Sequence, residues 1–185
     1  MNHTIEVDKI GSATSPLNLP RTISIVSSNG PAKAGDVVVV RVLTDNAYAA
    51  ELGQRAATVM GFEQDRTTHH FLLFKDGGAI DVSVKDAGDV KNREAIRSHL
   101  PHIAMMFGSG NFDAPMLVHD SPRVPGTTVM KARKSSIRYQ YAEMPNGGRV
   151  TITTADQAAL DAVHAFLRYQ IAEHKTGDPA TVPPR

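Results

Sequence analysis

The chain has 185 residues, enough for one substantial domain or two small ones. Its 20 Lys and Arg residues against 19 Asp and Glu residues give a net charge of +1, which offers no broad positive surface, so we expect no nucleic-acid partner. Cysteine is absent, which excludes disulfides, thiolate metal sites and cysteine nucleophiles.

The first 20 residues are polar and include Gly11, Pro16 and Pro20, which predicts a flexible N-terminal arm over 1–20. The N-terminus does not have the basic and apolar regions of a secretory signal, and no run approaches the roughly 18 apolar residues that span a bilayer. We therefore expect a cytoplasmic protein without a membrane partner. Two β-like runs and a helix that Gly61 ends come next.

The central feature of the sequence is a predicted hairpin, 67–84, followed by a helix from about Asp89. Ile80, Val82 and Val84 alternate with polar residues on the second strand, which indicates one buried face. A turn of even length then places His69 on the apolar face and His70 beside Asp81. Pro101 lies within the following helix and predicts a kink or a break there.

A second predicted hairpin and helix follow, with Asp156 as the helix cap. Gly77-Gly78 recurs 70 positions later as Gly147-Gly148, whereas the apolar stripes of the two helices match at a spacing of 67. The pattern favours two copies of an α-β-β-α unit, at about 46–110 and 111–176.

The predicted fold is therefore α+β. An antiparallel sheet of four to six strands carries two long helices on one face, within a single domain over 21–176. The Pro-rich segment 177–185 is expected to be disordered.

The eight histidines are the main chemical signal. Adjacent residues on a strand point to opposite faces, so His69 and His70 cannot form one site. Two histidines ten positions apart, His164 and His174, are about 15 Å apart along one helix and cannot share an ion within it. A site assembled from several elements would use three or four imidazoles, which suit Zn²⁺ or copper, with one of two carboxylates as a further ligand or as a partner that orients a ring. The candidate metal ligands are His69, His99, His119 and His164, and the candidate supporting carboxylates are Asp113 and Asp120.

Three stretches resemble a group of short bacterial proteins that are often labelled aspartate carbamoyltransferase. They are Thr-Thr-His-His-Phe-Leu-Leu-Phe with the following Asp-Gly-Gly-Ala-Ile-Asp-Val, the segment 111–120, and the segment 166–178. The chain does not contain the Ser-Thr-Arg-Thr segment with which true carbamoyltransferases bind carbamoyl phosphate. The resemblance therefore implies no catalytic residue.

The leading functional hypothesis is a small histidine-rich protein that binds Zn²⁺ or copper. One alternative is a non-catalytic domain that binds a small ligand or another protein, with a homodimer through a sheet edge as one form. Another is a metal-independent enzyme with His99 or His164 as general base. Gly108-Ser109-Gly110 has no following lysine and follows a helix, so no nucleotide cofactor is expected.

Overall fold

The computed structural model describes residues 22–25, 40–43, 45–121 and 123–184. The chain divides into two units, residues 1–48 and 49–185. In the first unit, strands β1 (Thr22–Ile25) and β2 (Val40–Leu43) form a two-stranded antiparallel sheet. Helix α1, Asp45–Met60, begins at the end of this unit and continues into the second. The predicted arm, 1–20, lies outside the described residues.

The second unit contains a four-stranded antiparallel sheet with the order β3-β4-β6-β5. Its strands are β3 (Thr67–Phe74), β4 (Gly77–Val84), β5 (Ile137–Met144) and β6 (Gly147–Thr154). The remaining helices are α2 (Val90–Ser109), α3 (Asp113–Val118), α4 (Thr127–Ala132) and α5 (Gln157–His174). The prediction of an α+β protein with an antiparallel sheet is confirmed.

The register of the first hairpin follows from its two-residue turn. His69 pairs with Val82 and His70 pairs with Asp81. Because residues two apart share a face, His69 lies on the face of Phe71, which is buried. The sequence-based assignment of His69 to the apolar face is therefore confirmed.

Glycines at the centre of the sheet allow two long helices to lie close to it. A side chain at Gly78 in β4 would collide with Leu167 of α5. A side chain at Gly148 in β6 would lie 3.0 Å from the Cδ1 atom of Leu100 in α2. Helix α5 thus packs against the β3–β4 hairpin, and helix α2 packs against the β5–β6 hairpin.

The helix caps explain the two different spacings in the sequence. Asp156 caps α5 by accepting a hydrogen bond from the amide of Ala159 at 2.9 Å. Its counterpart at α2 is Asp89, which accepts from the amide of Asn92 at 3.2 Å. The connection from β4 to α2 is three residues longer than the connection from β6 to α5. The strands of the two hairpins therefore match at a spacing of 70 positions, whereas the two helices match at a spacing of 67. Helix α2 also continues through Pro101 without the expected break.

The C-terminal segment is held against the second unit, which differs from the expected disorder over 177–185. The Asp178 carboxylate accepts a 2.9 Å hydrogen bond from the backbone amide of Phe71 in β3. Its other oxygen lies 2.9 Å from Nδ1 of His70. Arg168 donates to the carbonyl oxygen of Ala180, and Val182 packs on the core. Specific contacts therefore fix a segment whose composition alone suggests disorder.

Candidate functional site

Four histidines from different elements line one small, mostly apolar cavity of about 70 Å³. His69 comes from β3, His99 from α2, and His174 from the end of α5. His119 directly follows α3. The remaining wall includes Met60, Phe71, Val82, Ile103, Phe107 and Phe166. The fold therefore brings together four imidazoles that are separated by up to 105 residues.

Three of the four rings form a continuous row. The centroids of His69 and His174 are 5.8 Å apart, with an angle of 14° between the ring planes. The centroids of His174 and His119 are 5.1 Å apart at 79°. His99 is linked to this row through Phe62. The ring of Phe62 contacts both His69 and His99, with centroid distances of 5.8 Å in each case.

Burial keeps these rings neutral at physiological pH. It lowers the pKa of His69 to about 4, with smaller contributions from His70 and His99. Burial likewise lowers the pKa of His99 to about 4 and that of His174 to about 3. The pKa of His119 is also lowered, mainly by burial, although Gln170 and Glu173 act in the opposite direction. Neutral imidazole is the form that binds metals.

His119 is oriented by a neighbour on α5. Its Nε2 atom donates to the Oε1 atom of Gln170 at 2.9 Å, so Nδ1 carries the free lone pair. This Nδ1 atom and the Nε2 atom of His69 are buried without a hydrogen-bond partner within the described part of the chain. A buried polar atom without a partner costs about 1–3 kcal/mol, which a ligand could offset.

His164 does not line this cavity. Its Nε2 atom lies 2.9 Å from the carbonyl oxygen of Phe74 and 3.0 Å from that of Gly77, and it donates to both. His164 therefore ties α5 to the β3–β4 turn, which is a structural role rather than the expected ligand role.

The two carboxylates expected to support the histidines lie elsewhere as well. Asp113 and Asp120 are both exposed and are not among the cavity residues. The acidic side chain that approaches a cavity histidine is Glu173, whose Oε2 atom is 3.8 Å from Nδ1 of His119. The polar side chains that approach His119 are therefore Gln170 and Glu173 of α5, and not Asp113 or Asp120.

His174 is the cavity residue that sequence reasoning missed. Its distance from His164 along α5 correctly excludes a site made by those two residues alone. It does not exclude a site that His174 forms with residues of other elements. The available signal was the spacing of 67 between the helices, which matches His174 to Phe107, a residue of the predicted apolar stripe.

Among the described residues, no three His, Asp or Glu side chains already stand in a metal-binding arrangement. In the same part of the chain, no helix has the length and apolar character needed to cross a membrane. Comparison with known proteins gives no assignment, because no family model, curated protein or solved structure matches the chain. The function is therefore inferred from the geometry of the cavity.

Proposed function

We propose that the protein binds a transition metal ion, Zn²⁺ or copper, with His69, His119 and His174 as ligands and His99 beside them. The observation that carries this proposal is the convergence of four imidazoles of low pKa on one cavity, with two buried ring nitrogens that have no hydrogen-bond partner among the described residues. Imidazole nitrogen suits both metals. This ligand set replaces His164 by His174.

The size of the cavity favours an ion over an organic molecule. Sites for drug-sized ligands usually have volumes of roughly 300–1,000 Å³. A cavity of about 70 Å³ is far smaller, yet it exceeds the roughly 10–15 Å³ that one water molecule needs. An ion with one or two bound waters fits this space.

The spacing of the rings is close to that of a metal site. With metal–nitrogen distances of about 2.0–2.1 Å and tetrahedral angles, ring centroids of two histidine ligands lie about 5 Å apart. The observed separations are 5.1 Å and 5.8 Å. The ring nitrogens do not point at a common centre, so metal binding requires the imidazole side chains to change rotamer without a movement of the backbone.

A histidine general base is less well supported. A base works best when its pKa is near the operating pH, whereas the pKa of His99 is about 4. The Nε2 atom of His164 is occupied by two carbonyl oxygens. His99 is therefore poorly suited to accept a proton at neutral pH, and His164 lies outside the cavity.

The decisive experiment measures metal binding by the untagged full chain. The protein is stripped with EDTA, dialysed, and titrated with Zn²⁺ and Cu²⁺ in a calorimeter, and the bound metal is quantified by elemental analysis. We expect one ion per chain. The double variant His69→Phe/His174→Phe should lose at least 100-fold in affinity, because it removes two ligands while keeping aromatic packing.

The matched control is His102→Gln, which changes an exposed histidine on α2. It should bind the metal like the wild type, and so should a His164 variant that remains folded. Absence of stoichiometric metal in the wild type under both titrations refutes the proposal. Equal affinity of the double variant refutes the ligand set.

We also propose that the second unit arose by duplication, with α2 and α5 on one face of the sheet. Three pairs of features support it. Gly77 packs on the Ile152 carbonyl as Gly147 packs on that of Val82. The Val84 amide donates to Asn146 as that of Thr154 donates to Asp76. The His69–His174 contact has its counterpart in Tyr139 and Phe107, whose centroids are 5.9 Å apart.

A further inference from the structure

A second, larger depression lies against the other side of the His69–His174 pair. This outer groove has a volume of about 340 Å³ and is lined by both rings together with α1, the start of β3 and the end of α5. Its volume falls within the range of small-molecule sites, roughly 300–1,000 Å³. His69 and His174 are the residues that line both the outer groove and the inner cavity.

We propose that the outer groove binds a small organic carboxylate, one oxygen of which coordinates the metal between the imidazoles. This inference rests on the proposed metal site. Three histidine ligands leave a fourth position of a tetrahedral ion open to an exogenous ligand. Because His69 and His174 face both spaces, an ion held by them is reached from the groove.

The charges around the groove favour an anion. Lys85 and Lys175 line it, and Glu173 is its carboxylate among the described lining residues. The Lys85 ammonium group donates to the backbone carbonyl oxygen of Asp65 at 2.7 Å, which does not neutralise its charge. A bound divalent ion adds further positive charge. A carboxylate is therefore attracted both by the ion and by the two ammonium groups.

The apolar side of the groove suits a short carbon chain. Leu52, Gly53 and Ala56 of α1 lie on this side. A Cβ atom at Gly53 would meet no other atom within 4 Å, so the groove is open above this residue. A ligand with an aliphatic body and one or two carboxylates matches this combination of apolar wall and cationic rim.

The same open space supplies a blocking variant. Gly53→Met places a long side chain in the groove without a backbone collision, and methionine is a better helix former than glycine. The matched control is Gln54→Met, which adds the same side chain at the next, exposed position of α1. Lys175→Asn removes one charge with a residue that tolerates the left-handed backbone there, φ 50°.

The test is calorimetric titration of the zinc-loaded full chain with sodium succinate and, separately, with 1,4-diaminobutane. We expect succinate to bind and the diamine not to bind. Gly53→Met should weaken succinate binding at least 10-fold and Lys175→Asn about 3–10-fold, while both variants and Gln54→Met take up zinc as the wild type does.

The outcomes separate the two proposals. If the wild type binds zinc but not succinate, or if Gly53→Met binds succinate as tightly as Gln54→Met, the groove proposal is wrong and the metal site stands. Equal binding of the diamine refutes the preference for an anion. If the wild type takes up copper but no zinc, the same titrations are made with the copper-loaded chain. If it takes up neither metal, the proposed function is wrong and the groove proposal falls with it.

Discussion

Lowering the pH of the metal-free protein should destabilise it between pH 6.5 and 4. The pKa values of His69 and His99 are about 4 and that of His174 is about 3, whereas an unfolded histidine has a pKa of about 6.5. In this window the unfolded chain binds more protons than the folded protein, so the free energy of unfolding falls as the pH falls. This contribution is complete above pH 6.5 and is lost as the pH approaches the folded pKa values.

The magnitude follows from the same pKa values. Each histidine contributes about 1.4 kcal/mol per pH unit below 6.5, or about 2 kcal/mol at pH 5. Three histidines give an upper value of about 6 kcal/mol. The rings are partly exposed, and solvent screening reduces the expected loss to about 3–6 kcal/mol. This loss is comparable with the whole stability of a small domain, about 5–15 kcal/mol.

The assay is urea unfolding followed by circular dichroism, in EDTA, at pH 7.5, 6.5, 5.5 and 5.0. In the double variant His69→Phe/His174→Phe only the remaining buried histidines contribute. Its free energy of unfolding should therefore fall by only about 1–2 kcal/mol at pH 5. The pKa of Asp178 is already below its usual value of 3.8, so this carboxylate does not titrate in the window. His102→Gln serves as the control and should retain most of the wild-type pH dependence, because His102 is the smaller of the two causes that lower the pKa of His99 and does not act on His69 or His174.

Two results would contradict this reasoning. A wild-type free energy of unfolding that is the same at pH 7.5 and pH 5 would mean that the imidazoles are not desolvated. An equal dependence on pH in the wild type and the double variant would assign the effect to groups outside the His69–His174 pair.

Three further predictions follow from single contacts. His164→Leu should lower the free energy of unfolding by about 1–3 kcal/mol in urea titrations, because two carbonyl oxygens lose their donor; an unchanged midpoint would contradict the structural role. Gly77→Ala and Gly147→Ala should each lower the free energy of unfolding by about 3 kcal/mol in the same assay, since both new methyl groups collide with a strand carbonyl; Gly77→Ala should cost more because its φ is 151°, and a neutral result at either position would weaken the duplication proposal. Asp178→Ala should make the C-terminal segment sensitive to limited proteolysis at neutral pH, because the amide of Phe71 loses its acceptor; resistance equal to the wild type would show that other contacts suffice.

The local elements were predictable because they depend on short-range rules. Alternation on β4 and a two-residue turn determine which strand residues share a face, so His69 was assigned to the core and His70 to the side of Asp81. The cap at Asp156 follows from the preference of helix N-termini for a side-chain acceptor. At α2 the helix predicted from about Asp89 is capped by the side chain of Asp89 itself.

The sequence by itself therefore determined the three long helices, the two hairpins and the inward direction of His69. Only the tertiary structure decided which histidines meet. That outcome depends on α5 packing across Gly78, which carries His174 to β3 and turns His164 towards the β3–β4 turn. Contacts of this kind join residues about 90 to 105 positions apart, and their geometry depends on helix length and close packing against the sheet, which no local pattern of residues specifies.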